Sequence, residues 1–166
     1  MVVIVFGLPG SGKSYFASRL ASKIKADYIS SDRLRKGLIQ KRTYSDREKR
    51  FVYEEMLKKR DDAQRQHNNL VLDATFYKNE LRDLFKKEDQ DKSQVIFIEI
   101  QADENLISRR LERERADSEA NWNVYKLVKQ QWEPMKENHL ILESTDENIE
   151  HMLEKAMDYL KKENDN

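Results

Sequence analysis

The sequence contains no cysteine, only two prolines and only four glycines among its 166 residues. The absence of cysteine excludes disulfide bonds, a thiolate nucleophile and a zinc site built on thiolates. No apolar run approaches the ~20 residues of a membrane-spanning helix. The first run, Val2–Phe6, stops at Gly7 and lacks the basic flank of a signal peptide. These absences predict a soluble, cytoplasmic protein.

Net charge is also absent, because 31 lysines and arginines balance 31 aspartates and glutamates. A neutral protein exerts no global attraction on nucleic acid or anionic lipid, although local basic patches remain possible. A chain of 166 residues suits one compact domain with one core. We therefore expect a single domain over residues 1–160, followed by a frayed tail at 161–166.

Short apolar runs rich in β-branched residues predict the strands of a buried sheet. They are Val2–Phe6, 70–72, 95–100 and 140–142, with a weaker run at Asp27–Ser30. Charged stretches with helical spacing lie between and after them, at 14–25, 45–67, 103–115, 123–136 and 146–160. Strands that alternate with helices predict an α/β fold of three layers, in which helices cover both faces of a parallel sheet of about five strands.

Three of the four glycines lie within one segment, Gly7-Leu8-Pro9-Gly10-Ser11-Gly12-Lys13-Ser14. The segment fits the pattern GxxxxGK followed by serine or threonine, and it joins an apolar strand to a helical stretch, as a phosphate-binding P-loop requires. Glycines let backbone N–H groups turn toward phosphate oxygens, and the following helix adds its positive dipole end. Lys13 can reach the β- and γ-phosphates, and the Ser14 hydroxyl can bind Mg²⁺. The segment therefore predicts binding of ATP with Mg²⁺.

A carboxylate, Asp73, follows directly after the apolar run 70–72. In an open parallel sheet, ligands bind outside the carboxyl ends of the strands. Asp73 is therefore predicted near the Mg²⁺, where it would orient the metal's waters or Ser14. A polar cap at the strand end is the alternative.

The order and spacing of further motifs resemble the polynucleotide 5′-kinase and zeta-toxin group of P-loop kinases. The similarity begins at the P-loop and continues through ISSDRLR at 29–35, LDAT at 72–75, RRLER at 109–113, DSEA at 117–120 and QWEP at 131–134. It covers almost the whole chain. The resemblance implies a P-loop NTPase fold with strand order 2-3-1-4-5, a small arginine-rich lid at about 109–122, and transfer of the ATP γ-phosphate to a hydroxyl.

The same resemblance implies an acceptor site around Asp32. Asp32 would take the proton from the attacking hydroxyl, as a carboxylate within hydrogen-bond reach can do. Arg35, one helical turn later, would hold the acceptor's phosphate. From the residues alone, Asp32 could instead cap a helix, and Arg35 could be a solvated side chain.

The resemblance also implies lid arginines at Arg109 and Arg113, whose i, i+4 spacing would place both on one helical face. Planar, permanently charged guanidinium groups suit the equatorial oxygens of a transferring phosphate. Arg110 and Arg115 compete for this role. A charged helix face in solvent is the alternative for each of them.

The leading interpretation is an ATP-dependent phosphotransferase whose acceptor is the 5′-hydroxyl of a nucleic acid or nucleotide. A small-metabolite or sugar-nucleotide kinase is the alternative enzyme, and a nucleotide-binding switch or regulatory ATPase is the alternative from another class. The pair Asp32 and Arg35 favours an enzyme, because a switch needs no acceptor site. The aromatic residues Trp122, Tyr125 and Trp132 are predicted to pack in the core rather than to stack on a base.

Overall fold

The computed structural model describes residues 1–86, 95–113 and 120–165. The strands are β1 Val2–Phe6, β2 Asp27–Ser30, β3 Leu70–Asp73, β4 Val95–Gln101 and β5 Leu140–Glu143. The helices are α1 Lys13–Lys23, α2 Ser31–Leu38, α3 Asp46–Arg65, α4 Asn79–Lys86, α5 Glu104–Leu111, α6 Trp122–Gln131 and α7 Ile149–Asn164. The predicted α/β class is confirmed.

All neighbouring strands of the sheet are parallel, and their order is β2-β3-β1-β4-β5. This order is the one that the resemblance implied. Ser30 of β2 is in register with Asp73 of β3, and Asp73 is in register with Val5 of β1. The carboxyl ends of three strands therefore meet at one edge, where the P-loop begins.

Both faces of the sheet are covered, which explains why every residue of β1 is buried. Val3 and Val5 pack with residues of α1 and α7 on one face. Ile4 and Phe6 pack with residues of α3 and α4 on the other face. The hydrophobic effect thus fixes the strand on which the P-loop depends.

Several helix bounds differ from the prediction. The helix predicted at 123–136 ends at Gln131, and Trp132 is extended with φ −65° and ψ 127°. Pro134 explains this end, because proline lacks an N–H donor and disfavours a helical conformation in the residue before it. The helix predicted from 103 to 115 is Glu104–Leu111, and Asp103 caps its start.

The end of the chain also differs. The last helix continues to Asn164, so residues 161–164 are helical where we expected the frayed tail to begin. Lys161 and Lys162 lie in its last turn, where positive charge stabilises the negative end of the helix dipole.

Helix α4 was not predicted as a separate element. It has only eight residues, and one of its two buried side chains is an arginine, Arg82. A buried arginine conceals the apolar periodicity on which sequence prediction depends. In the described residues no helix combines the length and the apolar character that crossing a membrane demands.

Candidate active site

The P-loop joins β1 to α1 in a conformation that only glycine tolerates. Gly10 has a φ of 79°, and a Cβ atom there would lie 2.9 Å from Cγ2 of Ile107. At Gly7 a Cβ atom would lie 2.4 Å from the backbone oxygen of Ile100, which cannot move aside. Two of the motif's glycines are therefore required by close approaches as well as by the turn.

The start of α1 is suited to an anion. Its N-cap residue is Gly12, so no side chain caps the first N–H groups, and its first turn carries no acidic residue. Unpaired N–H groups and the helix dipole together attract a phosphate. Lys13 and Ser14 lie in this turn and line the adjoining cleft, as the motif predicts.

Asp73 lies at the end of β3 and is 1% exposed. The Tyr28 hydroxyl donates to Oδ2 of Asp73 over 2.8 Å. Burial raises the pKa of Asp73 above its ordinary range, while the charge of Lys13 and hydrogen bonds from Ser14 and Tyr28 act in the opposite direction. Asp73 is thus adjacent to Lys13 and Ser14 as predicted, with Tyr28 as a partner that the sequence did not indicate.

A metal-binding role suits Asp73 and Ser14. Oδ1 of Asp73 is buried and has no hydrogen-bond partner among the described residues, and such an atom requires a ligand or water. The described residues contain no group of three or more His, Asp or Glu side chains able to hold a metal. Mg²⁺ needs no such cage, because it binds through few protein oxygens together with waters and phosphates. Asp73 and Ser14 therefore fit Mg²⁺ bound to a nucleotide.

Asp32 lies in the first turn of α2 and lines the same cleft as Lys13. Its side chain is 38% exposed, and its Oδ1 lies 3.4 Å from Nη1 of Arg35. Arg35 itself is buried, with Nε 3.3 Å from Oε1 of Glu48. Asp32 is therefore accessible to a ligand and partly neutralised by a fixed cation.

Glu48 anchors this arrangement. Its Oε2 accepts hydrogen bonds from the backbone N–H groups of Thr43 (2.7 Å) and Tyr44 (3.1 Å). Burial disfavours the charged form, but these hydrogen bonds and the Arg35 charge outweigh it, so the pKa of Glu48 lies below its ordinary value. The ionised Glu48 holds the Arg35 side chain, and Arg35 contacts Asp32. Arg35 is therefore a buried residue that lines the cleft, and the sequence did not predict its burial.

The arginines near the expected lid differ in position. Arg110 and Arg113 line the cleft, whereas Arg109 is exposed and is not among the described residues that line it. Helix α5 ends at Leu111, so the i, i+4 argument does not extend to Arg113. Of the expected lid at about 109–122, residues 114–119, including the competitor Arg115, lie outside the described residues.

Arg110 is bound to the P-loop itself. Its Nη1 donates to the backbone oxygen of Ser11 (3.1 Å) and to Oγ of Ser144 (2.8 Å), and the Ser144 hydroxyl donates to the Ser11 oxygen (2.6 Å). Arg110 therefore braces the P-loop from α5. Its partner Ser144 lies 34 residues away in sequence, so no local pattern indicates this contact.

The aromatic residues after the lid pack within the protein, as predicted. Trp132 stacks on Phe6 with ring centroids 6.0 Å apart, and Trp122 stacks on Tyr125 at 4.8 Å. Tyr125 is 2% exposed. The cleft is lined by other aromatic residues that the sequence did not single out, including Tyr28, Tyr53 and Tyr77.

The cleft has a volume of about 1130 Å³, at the upper limit of ~300–1,000 Å³ for typical ligand pockets. One part, the phosphate half, is formed by P-loop residues with Arg110, Ser144 and Thr145. The other, the acceptor half, is formed by Asp32, Arg35, Tyr44, Lys49 and Tyr77, with Val124, Leu127 and Gln131 of α6 also on the cleft wall. A cleft of this volume has room for more than one small ligand.

Residues 2–139 match the sequence model of an AAA domain family. The chain belongs to this AAA domain family. The match includes the P-loop, Asp32, Asp73 and the described arginines of α5. No curated protein sequence matches the chain.

Solved structures of kinases share the fold over almost the entire chain. A sugar kinase from Janibacter sp. HTCC2649 superposes with a TM-score of 0.76 at 14% identity, covering 96% of this chain and 94% of that one. A gluconokinase from Sinorhizobium meliloti 1021 gives 0.73 at 15% identity, covering 97% and 91%. The Mycobacterium tuberculosis APS kinase, in complex with AMPPNP and APS, gives 0.69 at 20% identity, covering 96% of each chain. The fold is that of P-loop kinases.

Proposed function

We propose that the protein is an ATP-dependent phosphotransferase that moves the γ-phosphate of ATP to a hydroxyl acceptor. The observation that carries the proposal is the accessible carboxylate of Asp32, which shares a cleft with the P-loop lysine and is held by Arg35. A nucleotide switch would need the P-loop but not a fixed carboxylate opposite it. The kinase fold of the similar structures supports the same function.

On this proposal the phosphate half binds Mg·ATP. The P-loop N–H groups and Lys13 bind the phosphates, while Ser14 and Asp73 hold Mg²⁺, directly or through its waters. When bound, Mg²⁺ would offset the negative charge of the phosphates. Burial raises the pKa of Asp73 and the neighbouring Lys13 charge opposes this, so a bound cation would further favour the ionised carboxylate.

Asp32 acts as the general base. It accepts the proton of the acceptor hydroxyl, whose oxygen attacks the γ-phosphorus while the bond to the β-phosphate oxygen breaks and ADP leaves. Arg35 contacts Asp32 and fixes its position, and it lines the cleft, where it can contact an anionic acceptor. Arg113, with Arg109 as the second candidate, stabilises the charge on the transferring phosphate.

The acceptor half favours an anionic ligand with an aromatic ring. Of the residues at 31–50 that line the cleft, three are basic (Arg33, Arg35 and Lys49) and one, Asp32, is acidic. Tyr44 and Tyr77 line the same half, with Arg35 over the Tyr44 ring at 4.9 Å and Lys49 over the Tyr77 ring at 6.0 Å. A base would stack against these cation–ring pairs. These features support the 5′-hydroxyl of a nucleic acid or nucleotide as the acceptor.

A small-metabolite kinase is the second candidate. The similar sugar kinase and gluconokinase match nearly the full length of the chain, and a neutral net charge suits a small acceptor. The two candidates differ in their dependence on salt, since contacts to several phosphates weaken steeply as salt rises.

A transfer screen with γ-labelled ATP tests the proposal. Labelled phosphate should appear on a 5′-hydroxyl oligonucleotide or a nucleoside monophosphate more readily than on gluconate or other sugars. Transfer to sugars alone would favour the second candidate. ATP hydrolysis with no transfer to any acceptor would contradict the kinase proposal.

A further inference from the structure

Arg82 is fully buried, at 0% exposure, and each nitrogen of its guanidinium group donates a hydrogen bond. Nε donates to the backbone oxygen of Phe76 over 2.7 Å, Nη1 to Oδ1 of Asn79 over 2.7 Å, and Nη2 to the backbone oxygen of Glu133 over 2.6 Å. Hydrogen bonds from a charged donor are among the stronger ones in proteins. Burial of this cation therefore fixes two backbone segments that are far apart in sequence.

Aromatic rings complete the environment of Arg82. Its guanidinium carbon lies 5.0 Å from the ring centre of Phe6 and 5.3 Å from that of Trp132. The two rings are nearly parallel, at 11° to each other. Phe6 is the last residue of β1, immediately before the P-loop. Cation–π contacts thus add to the hydrogen bonds that hold Arg82 in place.

One of the segments that Arg82 holds is the loop after β3. Phe76 has a positive φ of 45°, which is unusual for a large side chain. Its N–H donates to the Tyr53 hydroxyl, and its oxygen accepts from Arg82. Its neighbours Thr75 and Tyr77 line the cleft. A strained residue between two cleft residues needs such bonds to keep its conformation.

The other segment follows α6, the helix whose Val124, Leu127 and Gln131 form part of the cleft wall. Besides the Arg82 bond, the Glu133 N–H donates to the Tyr77 oxygen over 2.9 Å, and Oε2 of Glu133 accepts from the Asn79 N–H over 2.8 Å. Two walls of the cleft are therefore joined around one guanidinium group.

A second buried arginine provides a comparison. Arg60 of α3 is 4% exposed and donates to the backbone oxygens of Leu84 and Phe85, at the opposite end of α4. Neither Leu84 nor Phe85 lines the cleft. Arg60 and Arg82 thus share chemistry and burial but differ in what they hold.

We propose that Arg82 is a positioning residue that sets the separation between the Thr75–Tyr77 loop and α6, and so the shape of the acceptor half. The catalytic consequence of this inference rests on the proposed phosphotransfer function, whereas its structural part is independent of that function. Loss of Arg82 should leave ATP binding at the P-loop unaffected but should impair use of the acceptor.

Hydrogen exchange of the intact protein tests the structural part without any acceptor. Arg82→Lys keeps the positive charge but loses the planar guanidinium group that donates to the backbone oxygens of both Phe76 and Glu133. Exchange of the backbone amides at 74–78 and at 122–133 should accelerate together, by about tenfold or more. Arg60→Lys should leave both segments at their wild-type rates. Equal effects of the two substitutions, or acceleration of only one segment, would overturn the proposal.

Kinetics test the functional part with a 5′-hydroxyl oligonucleotide as the probe. Arg82→Lys should raise the KM for the oligonucleotide at least about tenfold, while the Kd for ATP from calorimetry stays within about twofold of wild type. A parallel loss of both affinities would mean a purely structural role. If the wild-type protein transfers nothing, the proposed function fails, and the exchange experiment still decides whether Arg82 joins the two walls.

A surface variant covers the case in which Arg82→Lys does not fold. Glu133→Ala removes the exposed carboxylate that accepts from the Asn79 N–H and leaves the core intact. It should change the same exchange segments and the same KM in the same direction, but less. Wild-type exchange and wild-type KM in this variant, with Arg82→Lys unfolded, would overturn the proposal.

Discussion

The two halves of the cleft differ in whether backbone or side chains form them. The phosphate half is formed mainly by a contiguous stretch of backbone at residues 7–14, whose shape depends on glycine. The acceptor half is assembled from side chains of separate elements, such as Asp32 on α2, Lys49 on α3 and Gln131 on α6. The first half specifies a chemistry common to many proteins. The acceptor half contains the side chains that would set acceptor specificity, and its shape depends on contacts between residues far apart in sequence.

This comparison predicts that Lys13 has the largest effect of any single side chain. Lys13→Ala should reduce nucleotide-dependent turnover to background while the fold remains intact, because Lys13 is partly exposed and lines the cleft rather than the core. Turnover assays together with thermal unfolding check this. Wild-type turnover in a folded Lys13→Ala protein would remove the basis for assigning the phosphate half.

A lid arginine should have the next largest effect. Arg113→Ala should lower kcat by roughly 10²–10³-fold with a small change in ATP affinity, because its charge is best used in the transition state. Arg109→Ala, the second candidate, should lower kcat less than Arg113→Ala does, since Arg109 lies outside the described cleft lining. A rise in KM for ATP with unchanged kcat in Arg113→Ala would instead indicate ground-state binding.

Asp73 is buried beside Lys13 and Ser14 and should show opposite effects on stability and function. Its folded pKa is raised by burial, so wild-type stability decreases as pH rises through that folded pKa. Asp73→Asn can still accept from Tyr28 and avoids a buried charge. Without nucleotide it should unfold about 2–4 °C higher than wild type at pH 8, and this difference should shrink as pH falls.

The same substitution should reduce the gain in unfolding temperature that Mg·ATP gives, because a ligand stabilises only in proportion to its binding. Asp27→Asn, at an exposed position of β2, is the control and should change neither quantity. An Asp73→Asn protein that is less stable than wild type at pH 8, yet binds Mg·ATP normally, would show that Asp73 is a structural residue.

The sequence predicted the phosphate half and the sheet more completely than the acceptor half. The P-loop could be predicted because its glycines and lysine are neighbours in sequence and a single backbone turn relates them. The Tyr28–Asp73 bond spans 45 residues and the Arg110–Ser144 bond spans 34, so neither leaves a local pattern. Helix α4 and the buried Arg82 were missed because a charged residue in the core contradicts the apolar periodicity that marks a buried face.

The position of Arg35 shows the same limit. Its spacing from Asp32 placed both on one face of a helix, and the 3.4 Å contact agrees with that. Its burial against Glu48 depends on how the loop at 43–44 folds back onto α3, which spacing within α2 cannot show. Local geometry was predictable, but the enclosure of the residue was not.

Asp32→Asn is the most direct test of the proposal that Asp32 makes this cleft a phosphotransfer site. The N-cap of α2 is Ser30, so Asp32 does not cap the helix. Asparagine keeps the shape of the side chain, but it cannot take the acceptor's proton. We expect a folded Asp32→Asn protein to bind Mg·ATP with near-wild-type affinity by calorimetry and to transfer no labelled phosphate to the acceptor found in the screen. Transfer at the wild-type rate would contradict the assignment of Asp32 and remove the main reason to regard this cleft as more than a nucleotide-binding site.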